Sequence, residues 1–188
     1  MSFIHMGQWQ AFDASGHRKY LTAEERLRFL ALADRLPADR RALCYVLAFA
    51  GCRISEALGL GSHQVDICGT VTFRTLKRRR LIFRTVPVPQ MVAAMLLALP
   101  PAGDGRLWTI HRTTAWRIVT ATMGAAAIGG PMRCCKGLRH GFGVHAASSG
   151  VPPNLIAKWL GHASLATTAI YLDVVGQEER AFADRMWR

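Results

Sequence analysis

The stretch WLGHASLATTAIYLDV (159–174) places a histidine, His162, nine residues before a tyrosine, Tyr171. A phenol can act as a nucleophile and carry a covalent intermediate. Its pKa near 10 leaves only about one part in a thousand ionised at neutral pH, so nearby cations and proton acceptors must offset that cost. A tyrosine that follows an apolar segment is usually a core aromatic, and the interpretation of Tyr171 therefore depends on what else the chain carries.

Two arginines in distant parts of the chain could supply those cations. Arg53 lies in GCRISEALGL (51–60) and Arg139 in KGLRHGF (136–142). The planar guanidinium group donates two parallel hydrogen bonds to a phosphate, and a histidine can add a third donor as charge builds on the oxygens. Each arginine taken alone is also explained as a surface charge, so the argument depends on their combination with His162 and Tyr171.

The overall charge agrees with a phosphate-bearing partner. The net charge is +12, and a globular protein this basic most often meets a polyanion, usually nucleic acid. A GC-rich genome is the alternative explanation for the excess of arginine, since it favours arginine codons, and only four of the 24 basic residues are lysines. These are Lys19, Lys77, Lys136 and Lys158.

Composition excludes several classes of protein. A hydrophobic content of 51% with 19% charged residues is typical of a globular chain. The five cysteines are odd in number and lack CxxC spacing, which argues against a disulfide framework or a zinc site and for a reducing compartment. The apolar run 42–52 is too short to cross a bilayer, and no secretion signal begins the chain. We expect a cytoplasmic bacterial protein, associated with nucleoid or plasmid and not with a membrane.

Three motifs in fixed order give the chain a family resemblance. AGCRISEALGL (50–60) matches the pattern T-G-x-R-x-x-E-x-L-x-L at Arg53 and Glu56, and KGLRH (136–140) matches H-x-L-R-H at Arg139 and His140. LGHASLATTAIY (160–171), called the closing motif below, matches L-G-H-x-S-x-x-T-T-x-x-Y without a gap. In this order, the motifs resemble the catalytic domain of the tyrosine recombinases, the phage-integrase family, over residues 21–188.

The resemblance implies a reaction and a set of residues. Members of this family cut one DNA strand through a 3′-phosphotyrosyl link and pass it to a free 5′-hydroxyl, as a tetramer on two DNA sites. The implied catalytic residues are Arg53, Lys77, Lys136, Arg139, His162 and Tyr171. Glu56, as a buried carboxylate that orients Arg53 or closes the helix, and His140 are expected to support the site. No metal or other cofactor is expected.

A basic segment, KRRR (77–80), separates two β-rich stretches. In the family a hairpin lysine protonates the leaving 5′ oxygen, which assigns that role to Lys77. Arginines are poor proton donors, so Arg78, Arg79 and Arg80 are expected to follow the DNA backbone. The alternative for Lys77 is a solvated turn charge.

Lys136 is a departure from the family pattern, which usually has histidine at this position. An ammonium group can donate a hydrogen bond to the phosphate. It can accept the tyrosine proton only if its pKa is lowered, and two nearby arginines would act in that direction. The proton-transfer role of Lys136 is therefore left open.

The pattern of periodicity predicts a mainly helical α+β fold with a small antiparallel sheet. A capping box at Thr22 and Glu25 begins a helix, and the stretches 70–76 and 80–88 form a hairpin. Residues 1–20 are expected to be an N-terminal arm, followed by a catalytic domain (21–188) that ends in a docking segment (174–188). We expect Tyr171 to be presented at the end of a helix and not packed as a core aromatic.

Two alternatives to a recombinase remain at this point. The family's N-terminal DNA-binding domain is not seen in this chain, which leaves open a non-cleaving DNA-binding regulator or a recombinase that needs an accessory DNA-binding protein. A type IB topoisomerase-like enzyme would use similar chemistry to relax DNA without sequence specificity. The intact closing motif favours the recombinase.

Overall fold

The computed structural model describes residues 12–75 and 82–171, together with Asp184. The helices are α1 (Ala23–Ala33), α2 (Ala38–Ala50), α3 (Ile54–Leu58), α4 (Gln90–Leu97), α5 (Arg112–Ala125), α6 (Cys135–Ser148), α7 (Pro153–Leu160) and α8 (Ala166–Ala169). The strands are β1 (Val65–Asp66), β2 (Thr70–Thr75) and β3 (Ile82–Pro87). The predicted mainly helical fold with a small antiparallel sheet is confirmed.

The predicted capping box starts α1. The Thr22 hydroxyl accepts from the Glu25 backbone N–H at 3.2 Å, and the Glu25 carboxylate accepts from the Thr22 N–H at 2.9 Å. These two bonds satisfy amide groups that the first helical turn leaves without intrahelical partners.

Helix α2 is the central element of the core. Eight of its residues are buried, and it packs against α1, α4, α5 and α6. Gly51 ends it with a φ of 56°, in the left-handed region that glycine adopts without strain. The chain therefore turns sharply just before Arg53.

The sheet has the strand order β1-β2-β3, and both pairings are antiparallel. Its inner face carries Val71 and Phe73 on β2 and Val86 on β3, all fully buried. Phe73 stands opposite Arg84 in the register, so an arginine occupies an inward position of β3. The sequence did not predict β1, which is only two residues long.

Residues 12–20, within the predicted N-terminal arm, are attached to the helical domain. Arg18 donates to both oxygens of Glu25, at 2.6 and 3.0 Å. Phe12 and Arg18 form an isolated antiparallel bridge. Tyr20, two residues after Arg18, is buried.

A second apolar cluster lies beside the main core and holds the C-terminal part of the closing motif. Its buried members are Tyr20, Val144, Ala146, Ile156, Leu160, Ile170 and Tyr171. Residues from α6, α7 and the end of α8 therefore meet around Tyr171. Across the described ranges 12–75 and 82–171, we find no helix with the length and apolar content needed to traverse a membrane.

Candidate active site

Arg53 precedes the first turn of α3 and is held by the carboxylate of Glu56. The Arg53 backbone N–H donates to Glu56 Oε2 at 2.8 Å, and Arg53 Nη1 donates to Oε1 at 2.8 Å. The Arg53 side chain is 29% exposed. The predicted contact between Glu56 and Arg53 is confirmed, and it leaves part of the cation accessible to an anion.

Glu56 is shared by a second arginine, which the sequence interpretation missed. The Glu56 side chain has no exposed surface, and Arg84 Nη2 donates to its Oε2 at 2.9 Å. Burial alone would raise the pKa of Glu56, but the charge of Arg84 and the hydrogen bonds from Arg53 and Arg84 hold it below the ordinary glutamate value. Glu56 is therefore ionised at neutral pH.

Arg139, on α6, lies near Arg53 and is held by two backbone carbonyl groups. Its Nη1 donates to the carbonyl oxygen of Gly51 at 2.7 Å and its Nη2 to that of Leu160 at 2.6 Å. Burial, followed by the charge of Arg53, lowers the pKa of Arg139 to about 10. Arg139 is still protonated at neutral pH.

Two adjoining cavities meet at Arg53. The first, of about 410 Å³ and called the α5–α6 cavity below, is also lined by Arg112, Lys136 and Arg139. The second, of about 560 Å³ and called the β3–α7 groove below, is also lined by Arg84, Lys158 and His162. The structure thus brings together Arg53, Lys136, Arg139 and His162, which the sequence predicted to share a site.

Lys136 is exposed in the first turn of α6. It lies one turn before His140 and lines the α5–α6 cavity together with Arg53 and Arg139. Its ammonium group is therefore placed among cations at an open cavity, where an anion would be its complementary partner.

His162 follows the left-handed Gly161, whose φ of 66° ends α7. Its backbone N–H donates to the Ala157 carbonyl at 2.9 Å, and its Nδ1 lies 2.8 Å from the Thr168 hydroxyl. Thr168 is fully buried, so this bond fixes the imidazole ring at the edge of the β3–α7 groove. The second threonine of the closing motif gains a physical role that the sequence interpretation did not assign.

Tyr171 is packed as a buried aromatic, which differs from the sequence expectation of a presented side chain. Its exposure is 2%, and its hydroxyl lies 3.0 Å from His140 Nδ1. The His162 ring lies nearly parallel to it, with centroids 6.1 Å apart. Burial raises the pKa of Tyr171 to about 12, although the charge of Arg139 opposes this. Neither cavity that Arg53 lines includes Tyr171 among its lining residues.

His140 holds the Tyr171 hydroxyl as a neutral imidazole. Burial lowers the pKa of His140 to about 3, and the charge of Lys136 acts in the same direction. A group with so low a pKa is a poor acceptor of a phenol proton. The geometry therefore supports His140 as a group that positions Tyr171.

The packing of Tyr171 against α6 gives a stability prediction. A Cβ atom added at Gly143 would lie 2.6 Å from Tyr171 Cζ, which is too close without a shift of the ring. We expect Gly143→Ala to lower the free energy of unfolding by about 1–2 kcal/mol, measured by urea denaturation.

In a Tyr171→Ala background the same substitution should instead be stabilising by about 0.5–1 kcal/mol, because alanine favours the helix once the ring is removed. Gly103→Ala is the matched control, since nothing lies within 4 Å of its added Cβ. An equal penalty in both backgrounds would mean that Tyr171 is not the group Gly143 accommodates.

Several predicted residues lie outside the described part of the chain. Lys77, Arg78, Arg79 and Arg80 fall within 76–81, and the docking segment 174–188 is described only at Asp184. Their roles stay predictions. Arg84 is different: the alternation of β3 places it on the same face as Val86, and this periodicity is the signal that could have revealed it.

Comparison with known proteins decides the family. A model of the Phage integrase family matches residues 106–178. Tyrosine recombinase XerC of Nitrobacter winogradskyi is 34% identical over 175 residues, covering 85% of this chain and 53% of that protein. The chain belongs to the tyrosine recombinase (phage integrase) family.

Other tyrosine recombinases agree with this assignment. XerD of Bifidobacterium longum is 29% identical over 180 residues, covering 82% of this chain and 58% of that protein. The chain thus spans between half and two thirds of the length of these curated relatives. The crystal structure of XerA recombinase superposes with a TM-score of 0.76 at 24% identity, covering 89% of this chain and 64% of that one.

The XerH site-specific recombinase, solved bound to its difH substrate, gives a TM-score of 0.73 at 20% identity, covering 94% of this chain and 60% of that one. These likenesses show that the fold is that of a tyrosine recombinase catalytic domain.

Proposed function

We propose that this protein is a site-specific DNA recombinase that cuts and rejoins strands through Tyr171. The observation that carries the proposal is the convergence of Arg53 and Arg139, 86 positions apart in sequence, at one cavity that adjoins the groove of His162. Converging guanidinium donors of this kind suit a phosphate group on which negative charge develops. The Xer names of the relatives and the DNA-bound XerH structure support the same function.

The chemical step joins the Tyr171 oxygen to the scissile phosphorus and releases the 5′ oxygen of the next nucleotide. The phenol gives its proton to solvent water, and the leaving oxygen gains one from Lys77. Arg53, Arg139, His162 and Lys136 donate to the non-bridging oxygens throughout. Attack of a free 5′-hydroxyl on the phosphotyrosyl bond then restores the DNA backbone and the phenol, so the phosphodiester energy is conserved and no other reactant is consumed.

Attack requires Tyr171 to leave its buried position. In the described conformation its hydroxyl lies against His140, and its raised pKa disfavours the phenolate. Binding of DNA at the arginines places a phosphate beside the closing motif, and we propose that the segment 166–171 then rearranges so that the hydroxyl meets it. This step couples cleavage to the presence of DNA.

The remaining partners belong to the same proposal. A phosphodiester exchange between two DNA sites needs several active subunits, which suggests a homotetramer on double-stranded DNA. Lys158, Arg112 and Lys136, exposed around the two cavities, offer backbone contacts, so that affinity should fall steeply with salt. Recombination alone or with an accessory DNA-binding protein would both fit this arrangement.

The burial of Tyr171 also favours a second function, a DNA-binding regulator that never cuts. One experiment separates the two. Duplexes that bind the protein are selected from a random library and rebuilt with a nick moved base by base, so that cleavage releases a short oligonucleotide and traps the covalent product. The proposal predicts a labelled protein–DNA adduct on a denaturing gel.

Selective binding without an adduct on any nicked duplex would overturn the proposal in favour of the regulator. An adduct accompanied by relaxation of any supercoiled plasmid, with no preference for the selected duplex, would instead indicate a topoisomerase. Recombination between two selected sites on one plasmid would complete the assignment.

A further inference from the structure

Arg84 is a charged side chain in the interior of the protein. Its side chain is 5% exposed, and its guanidinium carbon lies 5.0 Å from the centre of the Phe73 ring. Burying a cation in this way is costly unless it is paired and hydrogen-bonded. Such a residue is expected to bring a benefit that a hydrophobic side chain could not.

One side of the Arg84 guanidinium group is tied to Arg53 through Glu56. Arg84 Nη2 and the Arg53 backbone N–H both donate to Oε2 of Glu56, while Arg53 Nη1 occupies the other oxygen. The carboxylate is therefore fixed between two cations. Its orientation, and with it the direction of the Arg53 side chain, depends on Arg84.

The other side of Arg84 is tied to the end of α7, just before His162. Arg84 Nε donates to the Trp159 carbonyl at 2.7 Å, a contact that spans 75 residues of sequence. A Cβ atom at Gly161 would lie 3.1 Å from Arg84 Cδ, so the turn that delivers His162 packs directly on this side chain. One buried arginine thus links the segments that carry two of the proposed phosphate ligands.

Direct phosphate binding by Arg84 is the competing explanation, because Arg84 lines the β3–α7 groove. However, its Nη1 is enclosed by protein and has no hydrogen-bond partner in the described part of the chain. The nearby Arg53 retains far more exposure and is the group a phosphate would reach first. The geometry favours an indirect role.

We propose that Arg84 is a positioning residue that holds Arg53 and His162 at the spacing of a single phosphate. The proposal rests on the proposed recombinase function and adds a residue to its machinery. A guanidinium group is needed because it donates to Glu56 and to the Trp159 carbonyl in two directions at once, which an ammonium group of shorter reach does not reproduce.

The test compares Arg84→Met, Arg84→Lys and the control Arg74→Met, which removes an exposed arginine from the neighbouring strand. Rates of adduct formation are measured in single turnover at saturating nicked duplex, below the unfolding temperature of each variant. We expect Arg84→Met to reduce this rate by about 10–100-fold, since a small misplacement of Arg53 and His162 costs that much. Arg84→Lys should recover part of the loss, and Arg74→Met should be as fast as the unaltered protein at saturation.

Binding measurements distinguish positioning from direct phosphate contact. Positioning predicts that DNA affinity changes by less than about threefold and that the dependence of log K on log salt keeps its slope, which otherwise falls by about 0.9 for each lost phosphate contact. The proposal would be overturned if the salt slope of Arg84→Met fell by about 0.9, the value for one lost phosphate contact. An unchanged cleavage rate in Arg84→Met would overturn it as well. If Arg84→Met does not fold, the same readings on Arg84→Lys decide.

A failure of the recombinase function itself would appear as no adduct from the unaltered protein. The positioning role is then judged by NMR of the His162 ring. Ring resonances that move in Arg84→Met and not in Arg74→Met support the link through Trp159, and resonances that stay in place in both variants refute it.

Discussion

Tyr171→Phe is expected to abolish the covalent protein–DNA adduct while leaving the fold and DNA binding nearly intact. Phenylalanine fills the same buried space, so the loss is confined to the hydroxyl and its bond to His140. We expect a decrease of about 1 kcal/mol in the free energy of unfolding and a change of less than about threefold in DNA affinity. The adduct should be undetectable on the nicked duplexes that trap it with the unaltered protein.

Tyr45→Phe is a closely matched control. Tyr45 is also buried, its hydroxyl donates to Asp34 at 2.7 Å, and its pKa is likewise raised to about 12. We expect a comparable loss of stability with full adduct formation. The chain has three tyrosines, so an adduct that persists in Tyr171→Phe would direct attention to Tyr20 or Tyr45 and refute the assigned nucleophile.

Glu56→Ala is expected to have the largest effect on stability. The substitution leaves Arg84 as a buried cation without its carboxylate, which costs about 3–5 kcal/mol in proteins where one partner of a buried pair has been removed. Urea denaturation at neutral pH measures the change. The control is Glu24→Ala, whose ion pair with Arg28 is exposed to solvent and should contribute less than about 0.5 kcal/mol.

The direction in which the stability of Glu56→Ala depends on pH can also be predicted. Because the pKa of Glu56 is lower in the folded state than in the unfolded chain, its contribution to stability is complete above the ordinary glutamate value of 4.5 and is lost as pH falls toward the lower folded pKa. The stability of Glu56→Ala should therefore vary less with pH in the acid range. A parallel pH profile in both proteins would show that Glu56 is not the paired carboxylate described above.

The motifs predicted which residues lie close together better than how those residues pack. Arg53, Arg139 and His162 converge as expected, and the contact of Glu56 with Arg53 follows from a three-residue spacing at the start of a helix. These relations are either local or carried by family motifs, so a single sequence contains enough information to predict them.

Other features depend on long-range packing. The alternation of β3 could have placed Arg84 on the inner face, but its partners lie 28 and 75 positions away and no local pattern identifies them. The burial of Tyr171 depends on the absence of a side chain at Gly143 and on the position of His140 on another helix. A nucleophilic role requires an accessible Tyr171 hydroxyl, whereas in the described conformation the side chain is buried in the core.

The two carbonyl groups that hold Arg139 have an electrostatic consequence. Gly51 ends α2 and Leu160 ends α7, so both acceptors belong to helix C-termini, which carry only a partial negative charge. Arg53, in contrast, is bound to a full carboxylate. Arg139 is thus oriented without being neutralised, and it contributes nearly a whole unit of positive charge to whichever anion enters the cavity.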